Sequence, residues 1–147
     1  MPERPSGYSL AVATRLHAGA SGIGLLALGL GLSACGGSQD AAVTEVAHEF
    51  SAAVSDGDGA TACNLLAPST RTELEQSTGK ACDRALLEEL GGTPVAAGDL
   101  HVYGLMAEVA DDRGAVFLTR MPDGWHVLAA GCSPRPDAPY DCAVEGG

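Results

Sequence analysis

The sequence predicts an α+β domain in which N-terminal helices pack on a curved antiparallel β-sheet meander. Three observations lead to this prediction. The first half of the chain places apolar residues at helical spacing, the second half alternates apolar and polar residues, and turn-forming residues separate the segments. Helices followed by strands are typical of α+β domains, in which the helices cover one face of the sheet. The length suits one domain with its own core.

The first 34 residues predict a cleaved signal peptide. Two arginines precede a long uncharged run that contains five glycines, which suits a signal peptide better than a bilayer-spanning helix of about 20 strongly apolar residues. The run ends in Leu32-Ser33-Ala34-Cys35, which resembles the lipobox of bacterial lipoproteins. This resemblance implies that Cys35 receives a diacylglyceryl group and becomes the mature N-terminus. An uncleaved transmembrane helix and ordinary secretion with cleavage near Ala34 are the alternatives.

A lipid on Cys35 would place the protein on the extracytoplasmic face of the cell membrane, because two or three acyl chains anchor a protein stably. Residues 35–40 are mostly small and polar and predict a tether. The single α+β domain is then expected over residues 41–147. Its first element is an amphipathic helix over residues 40–55, with Asp40 as the N-cap and Gly57 as the stop.

Three shorter helical segments follow, and each ends at a residue that breaks a helix. Pro68 stops the first of them, Gly79 the second and Gly91 the third. The segments are predicted over residues 60–67, 69–76 and 80–90.

From Asp99 the chain alternates as a strand, and we expect one long strand to Val109 with a bulge or bend at Gly104. Turns over residues 111–114 and 122–124 predict two further strands, over residues 115–120 and 125–131. Any additional strand near residues 93–97 would be short. The tail over residues 133–141 has three prolines, which cannot donate ladder hydrogen bonds, so we expect no strand there.

With Cys35 assigned to lipid, an even number of cysteines remains, which indicates disulfides in an exported domain. Three pairings are possible. We predict the local one, Cys63 with Cys82 and Cys132 with Cys142, because it keeps each bridge inside one structural region. Zinc clusters usually present ligands in close pairs such as C-x2-C, whereas the shortest gap here is nine residues, so the spacing does not support a metal site.

The net negative charge of the chain argues against two classes of partner. Removing residues 1–34 leaves 18 acidic residues against six basic ones, a net charge of −12. Such a surface argues against nucleic acid and against electrostatic docking on anionic lipid. The acidic residues are scattered along the chain, which is more typical of a solvated surface than of one binding patch.

The order of the elements, the run from Phe50 to Cys82 and the strand that ends at Gly131-Cys132 resemble small actinobacterial lipoproteins of unassigned activity. These proteins are similar to nuclear transport factor two-like, or cystatin-like, domains, and the resemblance covers about residues 40–142. It implies a bent helix cradled by a curved sheet. Enzymes with that fold often place an acid or a histidine inside the cone. The pocket candidates here are therefore His101, Tyr103 and Asp99, with Glu108 and His126 as further polar residues of the strands.

Simple alternation puts His101 and Tyr103 on one face of their strand and Glu108 on the other. The mature chain contains no nucleophile elbow, phosphate loop, zinc-protease motif or calcium loop. We therefore predict no catalytic residue, no cofactor and no metal. The predicted function is a non-catalytic binding or interaction module, displayed on the membrane by its lipid, that meets an unknown protein or small molecule. The alternative is a small-pocket enzyme with a buried His101 or Asp99.

Overall fold

The computed structural model describes residues 37–91 and 98–147, and in this part four helices precede five strands. The predicted signal peptide, Cys35 and the short strand near residues 93–97 lie outside the described residues. The helices are α1 (Gly37–Asp56), α2 (Gly59–Asn64), α3 (Pro68–Thr78) and α4 (Cys82–Leu90). The strands are β1 (Asp99–Tyr103), β2 (Met106–Asp111), β3 (Gly114–Met121), β4 (Gly124–Arg135) and β5 (Ala138–Glu145).

The five strands form one antiparallel sheet in the order β1-β2-β3-β4-β5, and the predicted α+β class is confirmed. Each strand pairs with the next one along the chain. The helices pack on the inner face of this sheet, where α1 contacts β1 to β4 and both α3 and α4 contact β5. None of the helices in the described ranges is long and apolar enough to cross a membrane.

Helix α1 begins at Gly37, three residues before the predicted N-cap, so Asp40 lies in its first turn and residues 37–40 of the expected tether are helical. An acidic residue in the first turn is stabilised by the positive end of the helix dipole. The core-facing stripe of α1 follows the predicted spacing and consists of Val43, Ala47, Phe50, Ala53 and Val54.

Helix α2 is capped by Asp58, which directly follows Gly57. Its carboxylate accepts hydrogen bonds from the backbone N–H of Thr61 at 3.0 Å and from the Thr61 hydroxyl at 2.7 Å. These bonds lower the pKa of Asp58 below its ordinary 3.8. A carboxyl with a lowered pKa stabilises the fold above its ordinary pKa. The contribution of this cap is therefore lost only as the pH falls through the lowered value.

Helices α2 and α4 approach each other closely at Gly59. A Cβ atom at this position would lie 2.1 Å from the carbonyl oxygen of Asp83, so only glycine fits there without moving a backbone. The disulfide between Cys63 and Cys82 joins the same two helices, with 6.1 Å between the Cα atoms. The predicted local pairing is confirmed here and in the second bridge, between Cys132 and Cys142.

The predicted long strand over residues 99–109 is wrong, because Gly104 and Leu105 form a two-residue turn between β1 and β2. Gly104 has a φ of 66°, as the first central residue of a type II′ hairpin turn requires. The reversal changes which side chains share a face. His101 is the register partner of Glu108, so these residues lie on the same outer face and not on opposite faces as alternation predicted.

The expectation that the proline-containing tail forms no strand is also wrong, since β4 continues to Arg135 and β5 follows. Sheets tolerate proline at bulges and on edge strands, and both conditions occur here. The β4–β5 register shifts between Ser133 and Arg135, which places Pro134 at an irregularity. Pro139 belongs to β5, which is an edge strand of the sheet. Asp137, with a φ of 57°, makes the turn between the two strands.

The core lies between the helices and the inner face of the sheet. Among the described residues the only buried polar or charged side chain is Thr70, whose hydroxyl donates a hydrogen bond to the carbonyl of Leu128 at 2.8 Å. In this part of the chain no acidic, basic or histidine side chain is fully buried. The largest fully buried side chains include Phe50, Leu86, Leu118, Val43, Val116, Val127 and Val144.

Candidate functional site

A groove of about 420 Å³ lies between α1 and the β1–β2 end of the sheet. Leu100 and Val109, which are register partners, contribute the sheet side. The helix side is a second stripe of α1, displaced by about one residue from the core-facing stripe. The residues that line the groove are Thr44, Ala47, His48, Ser51, Ala52, Ser55, Gly98, Leu100 and Val109.

The groove exists because the facing residues of α1 are small. Ala47, Ser51, Ala52 and Ser55 are too short to fill the space between the helix and Leu100. Sequence reasoning identified the core stripe of α1 but missed this second stripe. The sequence signal for this stripe is a set of alanine and serine residues at helical spacing, next to the core positions. Such short side chains leave a gap where the helix faces a sheet.

The polar groups of the groove are hydroxyls and one imidazole, and all belong to α1. The Thr44 hydroxyl donates to the carbonyl of Asp40 at 2.8 Å, and the Ser55 hydroxyl donates to the carbonyl of Ser51 at 2.8 Å. Because their protons are used within the helix, Thr44 and Ser55 face a ligand as acceptors. His48 is exposed at the rim. A mainly apolar lining with a few polar groups is typical of ligand-binding sites.

The groove continues into a shallow depression on the exposed side of α1. The two share Thr44, His48 and Ala52, and the depression adds the exposed carboxylates of Glu45 and Glu49. The rim on the helix side is therefore acidic.

The three predicted pocket residues do not line this groove. Asp99, His101 and Tyr103 lie on β1 with exposed side chains, and Tyr103 is 64% exposed. His101 and Tyr103 share the outer face as expected, with 6.3 Å between their ring centroids. The side chains of β1 that face inward are Leu100 and Val102, which pack against the core. These three side chains are therefore exposed on the outer face and are not enclosed in a pocket.

The remaining polar candidates are separated along the sheet. Glu108, the register partner of His101, accepts a hydrogen bond from the Tyr140 hydroxyl at 2.9 Å. This bond and the nearby negative charge raise the pKa of Tyr140. The Tyr140 ring also packs edge-on against Phe117, at 5.1 Å between centroids. Glu108 therefore links β2 to the Tyr140 side chain of β5 across the outer face of the sheet.

His126 lies near the start of β4, where its Nε2 is 3.2 Å from Oδ1 of Asp123 in the preceding turn. All four cysteines of the described residues are used in disulfides, with 3.9 Å between the Cα atoms of Cys132 and Cys142. Within the described ranges no three His, Cys, Asp or Glu side chains are grouped as metal ligands. The groove is thus the candidate site that the geometry offers.

Comparison of the chain with protein-family models, with curated proteins and with solved structures gives no match. The resemblance to nuclear transport factor two-like domains therefore stays a prediction.

Proposed function

We propose that this protein is a lipid-anchored binding module on the extracytoplasmic face of the cell membrane, and that the groove between α1 and the β1–β2 hairpin is its ligand site. The observation that carries this proposal is the combination of an open, mainly apolar groove with the finding that no acidic or histidine side chain of the described residues is fully buried. A ligand can be held there by apolar contact and a few hydrogen bonds. Acid–base catalysis would need an acid or base held at the reacting atoms, and the one imidazole among the residues that line the groove, His48, is exposed at its rim.

The anchor is supported by the sequence Leu32-Ser33-Ala34-Cys35 and by the two disulfides, which are typical of oxidising compartments. Only Gly36 separates Cys35 from the start of α1. A rise of 1.5 Å per residue places Thr44 roughly 10 Å along the helix from Gly37. A lipid on Cys35 would therefore keep the groove close to the membrane surface, where it would meet membrane-proximal ligands.

The anchor predicts a defined chemical form of the protein. In the membrane fraction we expect an intact mass that corresponds to a chain starting at lipid-modified Cys35, with four cysteines that resist alkylation until they are reduced. Cys35→Ser should abolish the lipid and release the protein from the membrane. A chain that retains Met1 without lipid, or free thiols at Cys63 and Cys82, would contradict the proposed compartment.

The groove predicts where a ligand will perturb the protein. Isotope-labelled protein, purified with its anchor, is titrated with cell-envelope material separated into peptide, glycan and lipid fractions. We expect one fraction to shift the NMR signals of Thr44, His48, Ala52 and Leu100. Ala52→Trp, which fills the groove from an exposed position, should remove these shifts.

The matched control for this titration is Gln76→Trp on the exposed side of α3, which should leave the shifts unchanged. The bound material is then recovered, and its molecular mass is measured by mass spectrometry. An unchanged mass supports a binding module, whereas conversion to a product of different mass would favour the small-pocket enzyme. Shifts confined to residues outside the groove, or no shift with any fraction, would overturn the proposal.

A further inference from the structure

We propose that the ligand is an extended, cationic peptide segment of a partner protein, which adds to β1 as a sixth strand and places alternate side chains in the groove. This inference rests on the proposed function, because it assigns a chemical class to the ligand of the same site. Three features of the structure lead to it: the outer edge of β1, which pairs with none of the described strands, the position of the groove beside that edge, and the charge around both.

Strand β1 is the first strand of an open sheet, and no strand in the described ranges pairs with its outer side. Antiparallel pairs alternate between hydrogen-bonded and non-hydrogen-bonded. The pair that closes the two-residue turn, Tyr103 with Met106, is hydrogen-bonded, and so is His101 with Glu108. The backbone groups of Leu100 and Val102 therefore point away from β2. An extended peptide can pair with them, as in other complexes formed by strand addition.

The groove lies on the inner side of this edge. Leu100 presents its backbone to the edge and its side chain to the groove, and Gly98 lines the groove at the start of the strand. Side chains of a strand alternate between the two faces of a sheet. Every second side chain of an added strand would therefore point toward α1, where Ala47, Ser51 and Ala52 leave room for small branched side chains.

The charges around the edge favour a cationic partner. Glu45 and Glu49 are exposed on the helix side, and Asp99 is exposed on the strand side. The sequences of α1, β1 and β2 contain no lysine or arginine. A second copy of this acidic chain would bring the same carboxylates to the interface and be repelled, as would an anionic lipid surface. Lysine and arginine in an extended peptide are complementary to this rim.

The far end of β1 adds an apolar surface. Tyr103 and Leu105 are each 64% exposed and Met106 is 38% exposed, and these are the exposed large hydrophobic residues among those the structure describes. All three lie at the tip of the β1–β2 hairpin. Apolar residues grouped in this way are typical of interaction surfaces. The docking surface thus runs from the groove along the edge of β1 to the hairpin tip.

The test selects random heptapeptides, displayed on phage, against the full-length protein. We expect enrichment of lysine or arginine together with valine, isoleucine or threonine at alternate positions. The same enrichment should be lost when the Ala52→Trp variant is the target of the selection, and it should be retained with the Gln76→Trp variant. The most enriched sequence is then synthesised and its dissociation constant is measured with the wild-type protein.

Backbone pairing is tested on this synthetic peptide. Successive N–H groups of an extended peptide point in opposite directions, so every second one would face β1. N-methylation of these alternate residues should weaken binding by about tenfold or more, because each hydrogen bond contributes about fivefold to the affinity. N-methylation of the intervening residues should change the affinity by less than about twofold, since their N–H groups point away from β1. Glu45→Gln combined with Glu49→Gln should weaken binding by about two- to tenfold, whereas Glu89→Gln on α4 should have no effect.

Several results would overturn the inference. Strand addition at β1 would be excluded by any of three results. These are enrichment of acidic peptides, an equal loss of affinity whichever alternate set of peptide residues is N-methylated, and enrichment that persists when the target carries Ala52→Trp. Self-association of the full-length protein through β1 would identify a second copy as the occupant instead. If a glycan or lipid fraction shifts the groove signals and peptides do not, this inference fails while the proposed function stands.

Discussion

Phe50→Ala is expected to lower the free energy of unfolding by about 3–5 kcal/mol, the range found for buried aromatic side chains replaced by alanine. Phe50 is fully buried on the core-facing stripe of α1, between the helix and the inner face of the sheet. Its removal leaves a cavity that the flanking Val43 and Val54 cannot fill, because their branched side chains are held by the helix backbone. Urea unfolding followed by circular dichroism measures the change.

The other phenylalanine of the chain provides the matched control. Phe117 is half-buried on the outer face and packs edge-on against Tyr140. Phe117→Ala should cost only about 1–2 kcal/mol, from reduced apolar burial and the loss of one aromatic pair. Equal effects of the two substitutions would show that α1 does not pack on the sheet as described. Since α1 forms one wall of the groove, such a result would also remove the basis of the proposed site.

Local signals in the sequence were sufficient for the number and order of the described helices and for the disulfides. Gly79 and Gly91 end α3 and α4 as predicted, since glycine readily adopts the left-handed conformation of a C-cap. The prediction that Pro68 stops the helix over residues 60–67 is wrong, because α2 already ends at Asn64 and Pro68 is the first residue of α3, where a helix needs no N–H donor. The pairing of Cys63 with Cys82 was predictable because both residues belong to neighbouring short helices. These features depend on few residues that are close in sequence.

The strands were predicted less well than the helices, because their ends and turns depend on pairing between segments that are distant in sequence. A glycine in an alternating run is compatible with either a bulge or a hairpin turn, and only pairing distinguishes them. At Gly104 the pairing of Leu100 with Val109 selects the turn. In the tail, Pro134 and Pro139 are tolerated because one lies at a register shift and the other on an edge strand. Neither condition can be read from the tail alone.

The groove was the least predictable feature, because a gap is defined by what two elements fail to fill. Its helix side requires that Ser51 and Ala52 are short, and its sheet side requires that Leu100 and Val109 are register partners. The second requirement follows from the hairpin at Gly104. The resemblance to a known fold directed attention to His101 and Tyr103, which lie on the outer face of the sheet, away from the groove.

Removal of the disulfide between Cys63 and Cys82 is expected to be the other large effect. On the chain-entropy model, a bridge that spans 19 residues contributes about 3 kcal/mol. The bridge joins α2 to α4, which have no shared backbone ladder and touch where Gly59 meets Asp83. Without it the two helices lose their covalent constraint in both the folded and the unfolded chain. The variant is Cys63→Ala combined with Cys82→Ala, measured by urea unfolding under oxidising conditions.

The matched control replaces Cys132 and Cys142 with alanine. That bridge spans ten residues, for which the same model gives about 2.7 kcal/mol. Its cysteines are also register partners in the β4–β5 ladder, so backbone hydrogen bonds still hold the two strands together after it is removed. We therefore expect the Cys63 and Cys82 variant to be the less stable of the two. The reverse order would mean that β5 depends on its bridge more than on the ladder, and that the helices hold together by packing alone.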